Sequence, residues 1–273
     1  MVLGAGAQFD LPLQITAESP IVDEFGVTLK GSATSTPAER DLVQVLWASN
    51  SVIYPPAYDG TPDPRNPLVV NGAWWIGSLT SPDLVEPGFF SAVLSSPRPD
   101  HNRRVFVRVF NADKAKSSTF YGDSQVLTVR DNDLLVARIA ATTNALDPRD
   151  DDVDGLNNSW EKSLGSDRYN PDTDGDGMKD GDEHRAKTGI LDSNSVFVVA
   201  WLDRGDGTDA VVSWESVAGL QYQVQYTDGQ LTADDPAFSN ITAAVTAVGE
   251  VTSVTIPAGL SSERGTYRVR LVE

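Results

Sequence analysis

Between Asp147 and Asp192 the chain writes one acidic pattern twice, DPRDDDVDGLNNSWE and then NPDTDGDGMKDGDE. Carboxylates packed this densely repel one another in any compact chain, so the segment needs a positive charge to fold around. Counting from Asp150, carboxylates fall at loop positions 1, 3 and 5 (Asp150, Asp152, Asp154), then Gly155 at 6, Leu156 at 7, Asn158 at 9 and Glu161 at 12. Counting from Asp172 places Asp172, Asp174, Asp176, Gly177, Met178, Asp180 and Glu183 at the same offsets. This spacing suits a hard cation that takes six to eight oxygens at about 2.3–2.6 Å, because a tight loop turns alternate side chains inward. Position 7 offers only its backbone carbonyl, which leaves Leu156 and Met178 free to turn their side chains into a core. A closing glutamate supplies two oxygens and favours calcium over the stricter octahedron of magnesium. The ligand set expected is therefore these residues without the two glycines, twelve in all, with two or more calcium ions.

Acidic, glycine-rich runs are ordinarily solvated linkers. Two complete loops set 22 residues apart, each leading into a short helical pattern, point instead to paired metal sites. Ser159 to Leu164 and Gly181 to Thr188 can each form about two turns, with Gly165 and Gly189 as expected C-caps. Helices this short are marginal alone, since isolated helices need about 12–15 residues. Metal binding and folding are then one process. Loop two gathers five carboxylates against four in loop one, so Asp174→Ala is expected to cost more stability in calcium than Asp152→Ala. Thermal melts of the two variants in calcium check that ranking, and the reverse order overturns it.

Pro148 and Pro171 precede the loops and favour an extended entry rather than the entering helix of an EF-hand. With that departure the run resembles thrombospondin type 3 and related dockerin-like calcium repeats of bacterial secreted and surface proteins. The resemblance covers about 45 residues and implies that Asp167 and Asp192, beyond the exiting helices, join neighbouring sites. The stretch VVSWESVAGLQYQVQYTDG, closing with TYRVRLV, resembles the fibronectin type III-like terminal modules that follow such repeats.

The flanking sequence alternates in the manner of strands. In RVFVRVF, Val105, Val107 and Val109 share one face and Phe106, Arg108 and Phe110 the other. Turn-rich spacers such as YPPAYDGTPDPRNP separate such runs at sandwich-like spacing. The fold expected is mostly β, two β-sandwich domains of immunoglobulin/fibronectin-like kind joined by a short helical calcium-binding segment. The boundaries expected are 1–17 (leader and donor strand, with Phe9 to Thr16 adding to a neighbour's sheet), 18–140 (first sandwich), 141–193 (two calcium loops) and 194–273 (terminal sandwich).

Function follows from what composition excludes. A net charge of −18 and a pI near 4.3 make nucleic acid a poor partner, and the absence of cysteine removes thiol catalysis and disulfides. No stretch reaches a membrane span of 18 or more apolar residues. MVLGAGAQFD resembles the tail of a secretory signal peptide, and modest-affinity calcium modules work where calcium is about 10⁻⁴–10⁻³ M. A secreted, extracellular or cell-surface location is expected. No nucleophile elbow or phosphate loop occurs, so no enzyme is expected. The leading expectation is a structural subunit of an extracellular filament, sheath or surface layer, partnered by copies of itself, with calcium rigidifying the joint. The alternatives are an adhesion or carbohydrate-binding module that meets a surface glycan or protein, or an accessory region of a larger secreted enzyme. The adhesion alternative would use Trp74, Trp75 or the YPPAYDG loop; the two rings point to opposite faces of a strand, and a loop covering the outer one is expected rather than an exposed platform, while the Arg204-Gly205-Asp206 tripeptide, His101 and a solvated His184 are set aside as carrying no role.

Overall fold

The computed structural model describes residues 13–31, 40–77, 87–94, 103–129, 134–195, 201–204, 209–227, 238–257 and 266–272. The leader through residue 12, His101 and all of the Arg204-Gly205-Asp206 tripeptide except Arg204 lie outside them. The protein is mostly β. It divides into two compact units, Met1–Arg149 with Asn157–Ser163, and Asp150–Leu156 with Leu164–Glu273.

In the first unit the strands are β1 (Leu13–Ala17), β2 (Leu42–Trp47), β3 (Leu68–Trp75), β4 (Ser91–Leu94), β5 (Arg104–Phe110), β6 (Phe120–Asp123), β7 (Leu127–Thr128), β8 (Leu134–Ala137) and β9 (Asn144–Ala145). One sheet has the order β4-β1-β8 and the other β3-β2-β5-β6-β9, with β7 also on β5. Leu13, Ile15, Val43, Val45, Val105, Val107 and Val109 share one core, which lies between the two sheets. Alternation in RVFVRVF thus sorts the valines inward as expected. Its other face is buried too: Phe106 packs with Leu46 and Ala48, and Phe110 with Leu42, Tyr121 and Leu146. Part of the cover is the proline-rich run after β2, which is therefore no free spacer. Asn66, fully buried, accepts the Tyr54 N–H at 2.7 Å and donates to the Trp47 and Val52 carbonyls at 2.8 and 3.0 Å.

The placements of β1 and of the two tryptophans bear on those expectations. β1 is the central strand of its own sheet, antiparallel to β4 and parallel to β8, so its backbone is paired on both edges and donation to a neighbour would require its withdrawal. Trp74 packs against the core between the sheets and Trp75 against the Phe110 cluster. Their side chains do point to opposite faces, but each face carries a core, and neither ring stands fully exposed.

Asp41 offers a pH test of this unit. Its carboxylate accepts the Lys30 N–H at 2.6 Å in a nearly closed site, and burial pushes it up to about 6. A folded value above the ordinary one means that the stabilising contribution is complete below pH 4 or so and is lost as pH rises through 6. Asp41→Asn keeps the acceptor without the charge. It is expected to leave stability unchanged near pH 4 and to raise it by about 3 kcal/mol at pH 8, read as the difference between urea denaturation curves at the two pH values.

The second unit contains β10 (Trp201–Arg204), β11 (Ala210–Glu215), β12 (Gln221–Thr227), β13 (Ser239–Asn240), β14 (Val245–Thr246), β15 (Val251–Ile256) and β16 (Thr266–Leu271). The sheets run β10-β11-β15 and β13-β12-β14, with β16 on the other edge of β12. Val212 and Trp214 of β11, Ile256 of β15 and Tyr222 and Val224 of β12 meet in one core, flanked by Tyr267, Val269 and Leu271. That places the tyrosines of QYQVQYT and TYRVRLV where alternation assigns them. The Tyr222 hydroxyl accepts the Val217 N–H at 3.0 Å, which satisfies its polar end.

Candidate metal centre

The two acidic loops fold on the same local rules. At position 1, Asp150 accepts the N–H of Val153 at 2.8 Å and of Gly155 at 3.1 Å. Asp172 accepts those of Gly175 at 2.8 Å and Gly177 at 2.9 Å. At position 5, Asp154 accepts the Leu156 N–H at 2.6 Å and Asp176 the Met178 N–H at 2.7 Å. At position 9 the N–H closes the turn on the residue before the loop, Asn158 on the Arg149 carbonyl and Asp180 on that of Pro171. Position 6 is left-handed in both, with φ 97° at Gly155 and at Gly177, which is why glycine occupies it. Position 4 is left-handed as well, and there loop one places Val153 (φ 62°) where loop two has Gly175 (φ 76°). A β-branched residue in that region is strained, and loop one carries this cost alone.

The turns bring one carboxylate oxygen from each of Asp150, Asp152 and Asp154 within 4.8 Å of one another, and likewise for Asp172, Asp174 and Asp176. Several oxygens in these sets are buried without a hydrogen-bond partner: both of Asp152, and one each of Asp174, Asp176 and Glu183. Glu183 is fully buried, and desolvation, with repulsion from Asp174, Asp176 and Asp180, pushes it up to about 7. Burial first, then their neighbours, also raises Asp152 and Asp174. Bare acid oxygens that cannot reach water are what a divalent cation would satisfy, so the residues fit calcium. When bound, the ion supplies positive charge and fixed coordination, while the chain supplies the oxygens and the turns.

The remaining expected ligands are placed as follows. Leu156 is buried and Met178 half-buried. Asp180 is buried and is engaged by Thr173, accepting its N–H at 2.8 Å and its hydroxyl at 2.6 Å. Asn158 and Glu161 are buried and group with the first unit, whereas Asp150–Leu156 groups with the second. Asn158 donates its amide to Asp147 at 3.1 Å. Asp167 and Asp192 are exposed and accept local N–H groups, from Tyr169 and from Asn194. They stand outside both carboxylate sets among the described residues.

The exiting helices are α1 (Asn158–Leu164) and α2 (Asp180–Ala186). Gly165, at φ 87°, is left-handed directly after α1. The expected cap at Gly189 is not used. Lys187 takes the left-handed position (φ 62°) and donates its N–H to the Glu183 carbonyl, so α2 stops earlier than its pattern suggests. Trp160 of α1 sits edge-on to Phe120 and Phe25, with centroids 4.9 and 5.5 Å apart, which docks the helix on its own unit. His184 is half-buried rather than solvated, and desolvation pushes its imidazole down.

Sequence spacing does not show how loop one meets α2. The Gly181 N–H donates to the second Asp154 oxygen at 2.8 Å, and a Cβ built at 181 would lie 2.5 Å from the Asp154 carbonyl oxygen. Gly181→Ala should therefore destabilise the calcium-loaded protein by about 1–3 kcal/mol through this overpacking, although alanine gains about 1 kcal/mol of helix propensity. An unchanged or raised melting temperature would show that the backbones can separate freely.

The family model for the bacterial TSP3 repeat matches residues 150–167 and 172–188. Among solved structures, a chain described as "Biofilm associated protein - BSP domain" matches at 15% identity and a TM-score of 0.21, covering 98% of this chain and 52% of that one. That superposition is too loose to define a common fold, and this chain spans about half the length of the matched one. A search of curated protein sequences finds no match. No helix among the described residues is long and apolar enough to cross a membrane. The chain thus carries two segments that match the bacterial TSP3 repeat, each with an aspartate cluster that could hold an ion.

Proposed function

We propose that this chain is an extracellular calcium-binding surface protein with a structural role, a subunit of a filament, sheath or surface layer in which two calcium ions stiffen the segment that links its β units. The observation that carries this reading is the set of buried, unpartnered acid oxygens on Asp152, Asp174, Asp176 and Glu183, in loops that match a calcium repeat. Such sites need free calcium at concentrations found outside cells. The −18 net charge favours the same setting, since it keeps the chain soluble while giving it calcium as counterion.

The terminal unit supports a fibronectin-like reading through its two-sheet arrangement, with β10, β11 and β15 in one sheet and β12, β13, β14 and β16 in the other. The non-enzymatic reading rests on the lack of a recognisable nucleophile or phosphate motif. A glycan platform at Trp74 or Trp75 loses support because both rings rest on cores.

Electron microscopy and sedimentation in millimolar calcium, repeated after chelation, test the proposal. Ordered assemblies that loosen on chelation are expected. A monomer whose sedimentation and melting are indifferent to calcium would overturn it.

A further inference from the structure

We propose that copies of this chain pair through the free edge of β15, strand against strand about a two-fold axis at Ser253. This deepens the reading of a chain partnered by itself and rests on that reading.

The groups on that edge follow from the ladder. β15 pairs with β11 in an unbroken antiparallel register, from Ala210 opposite Ile256 to Glu215 opposite Val251. One step further on, the Ser216 N–H donates to the Glu250 carbonyl at 2.8 Å, which makes that pair a hydrogen-bonded one. Such pairs alternate in an antiparallel ladder, so Thr252, Val254 and Ile256 direct their N–H and C=O to β11. Those of Val251, Ser253 and Thr255 point the other way, and among the described residues no strand takes them up. The side chains of these three are exposed, whereas Thr252 and Ile256 are buried.

Edges are normally guarded by charge, proline or a bulge. β16 carries Arg268 and Arg270 on its strand, and β10 carries Asp203 and Arg204. From Val251 to Ile256 the run VTSVTI has neither charge nor proline, and its register with β11 does not shift. In a chain of net charge −18, where acidic surfaces repel a second copy, this strand does not.

The run is also complementary to itself. Antiparallel pairing centred on Ser253 sets Val251 opposite Thr255 of the second copy and Thr252 opposite its Val254, so β-branched residues meet β-branched residues across the ladder. The outward N–H and C=O groups of the two edges then satisfy one another, and the two sheets of order β10-β11-β15 become one. Glu250 faces Ile256 of the other copy, which keeps the two glutamates about 20 Å apart along the strands, beyond the screening length of about 8 Å at physiological salt. A charged strand in the same place would set its charges against valine, serine and threonine with no counterion. The contact is isologous and small, so the dimer is expected to dissociate at about 10–100 µM.

Sedimentation equilibrium of the full chain in millimolar calcium, from about 1 µM to about 1 mM protein, tests the pairing. The unaltered chain is expected to pass from monomer to dimer. Ser253→Lys and Ser253→Glu alter an exposed side chain, set like charges face to face across the axis, and should each weaken pairing by about tenfold or more. An equimolar mixture of the two should restore it, which misfolded variants would not do. Amide exchange gives a readout without substitution: the Val251, Ser253 and Thr255 N–H groups should gain protection as concentration rises, while those of Thr252 and Val254 are protected throughout. An undiminished Ser253→Lys dimer, a mixture that fails to associate, or no gain in protection at the three outward amides overturns the proposal and leaves other contacts between copies standing. An unaltered chain that stays monomeric at every concentration overturns the proposal together with the reading of a chain partnered by itself.

Discussion

Chelating calcium is expected to lower the melting temperature of the protein by on the order of 10–20 °C and to open residues 150–188 while the strands of the first unit keep their protection. α1 and α2 have seven residues each, below the length at which a helix holds itself together in water. Position-1 aspartates can cap their own turns without metal, as Asp150 and Asp172 do. The buried oxygens of Asp152, Asp174, Asp176 and Glu183 have no such internal solution. Stripped of the ion, the loops must take up protons, admit water or unfold, and the rise of Glu183 to about 7 shows the first of these near neutrality. An ion present at about a hundred times its dissociation constant adds about 2.7 kcal/mol per site, hence about 5 kcal/mol for two, which converts to the stated shift for a domain of this size. Hydrogen exchange with and without chelator is the decisive measurement. Equal protection across 150–188 in both conditions would mean that the loops stand on their own packing.

Truncating Arg108 is expected to cost about 3–5 kcal/mol. Arg108 is fully buried. Its Nε and one terminal nitrogen each donate to Asp123 at 2.7 Å, and the same terminal nitrogen donates to the Tyr54 carbonyl at 2.9 Å. Its plane lies 4.7 Å from the Tyr121 ring centre and 5.4 Å from that of Phe106. Its other terminal nitrogen is buried without a partner, so the pair is costly to desolvate and incompletely repaid. Arg108→Ala removes packing and leaves Asp123 as an uncompensated charge in a site where burial already raises its carboxyl. The double variant Arg108→Met with Asp123→Leu takes both charges away and should recover most of the loss, since well-packed apolar replacements of buried ion pairs are often neutral or stabilising. Urea denaturation of the single and double variants checks this. Additive losses would show that the two side chains act independently and would overturn the account.

Much of the site was legible in the residues because its geometry is local. Alternate aspartates, a glycine at position 6 and a glutamate at position 12 specify turns whose hydrogen bonds stay within the loop and the residue before it, as those of Asp150 and Asp172 do. The same holds for the alternation that turned Val105, Val107 and Val109 to one face of β5. Local rules stop where two elements compete or meet. The stretch from Gly181 to Thr188 pointed to Gly189 as its cap, and the turn closed at Lys187 instead, against the propensity of glycine for that position.

What the sequence determined by itself, then, is the pair of acidic loops, their helix exits and the faces of the strands, since each depends on bonds and periodicities within a few residues. What only the tertiary structure decided is which faces are covered and which edges are free. Arg108 lies in a core because the run around Tyr54 and Asn66 folds over its sheet. Gly181 must lack a side chain because loop one arrives there from 27 residues upstream. β1 is central and β16 an edge because of pairings with strands 40 to 120 residues away. Burial and pairing are properties of what else comes near, and no local pattern contains the approach of a distant segment.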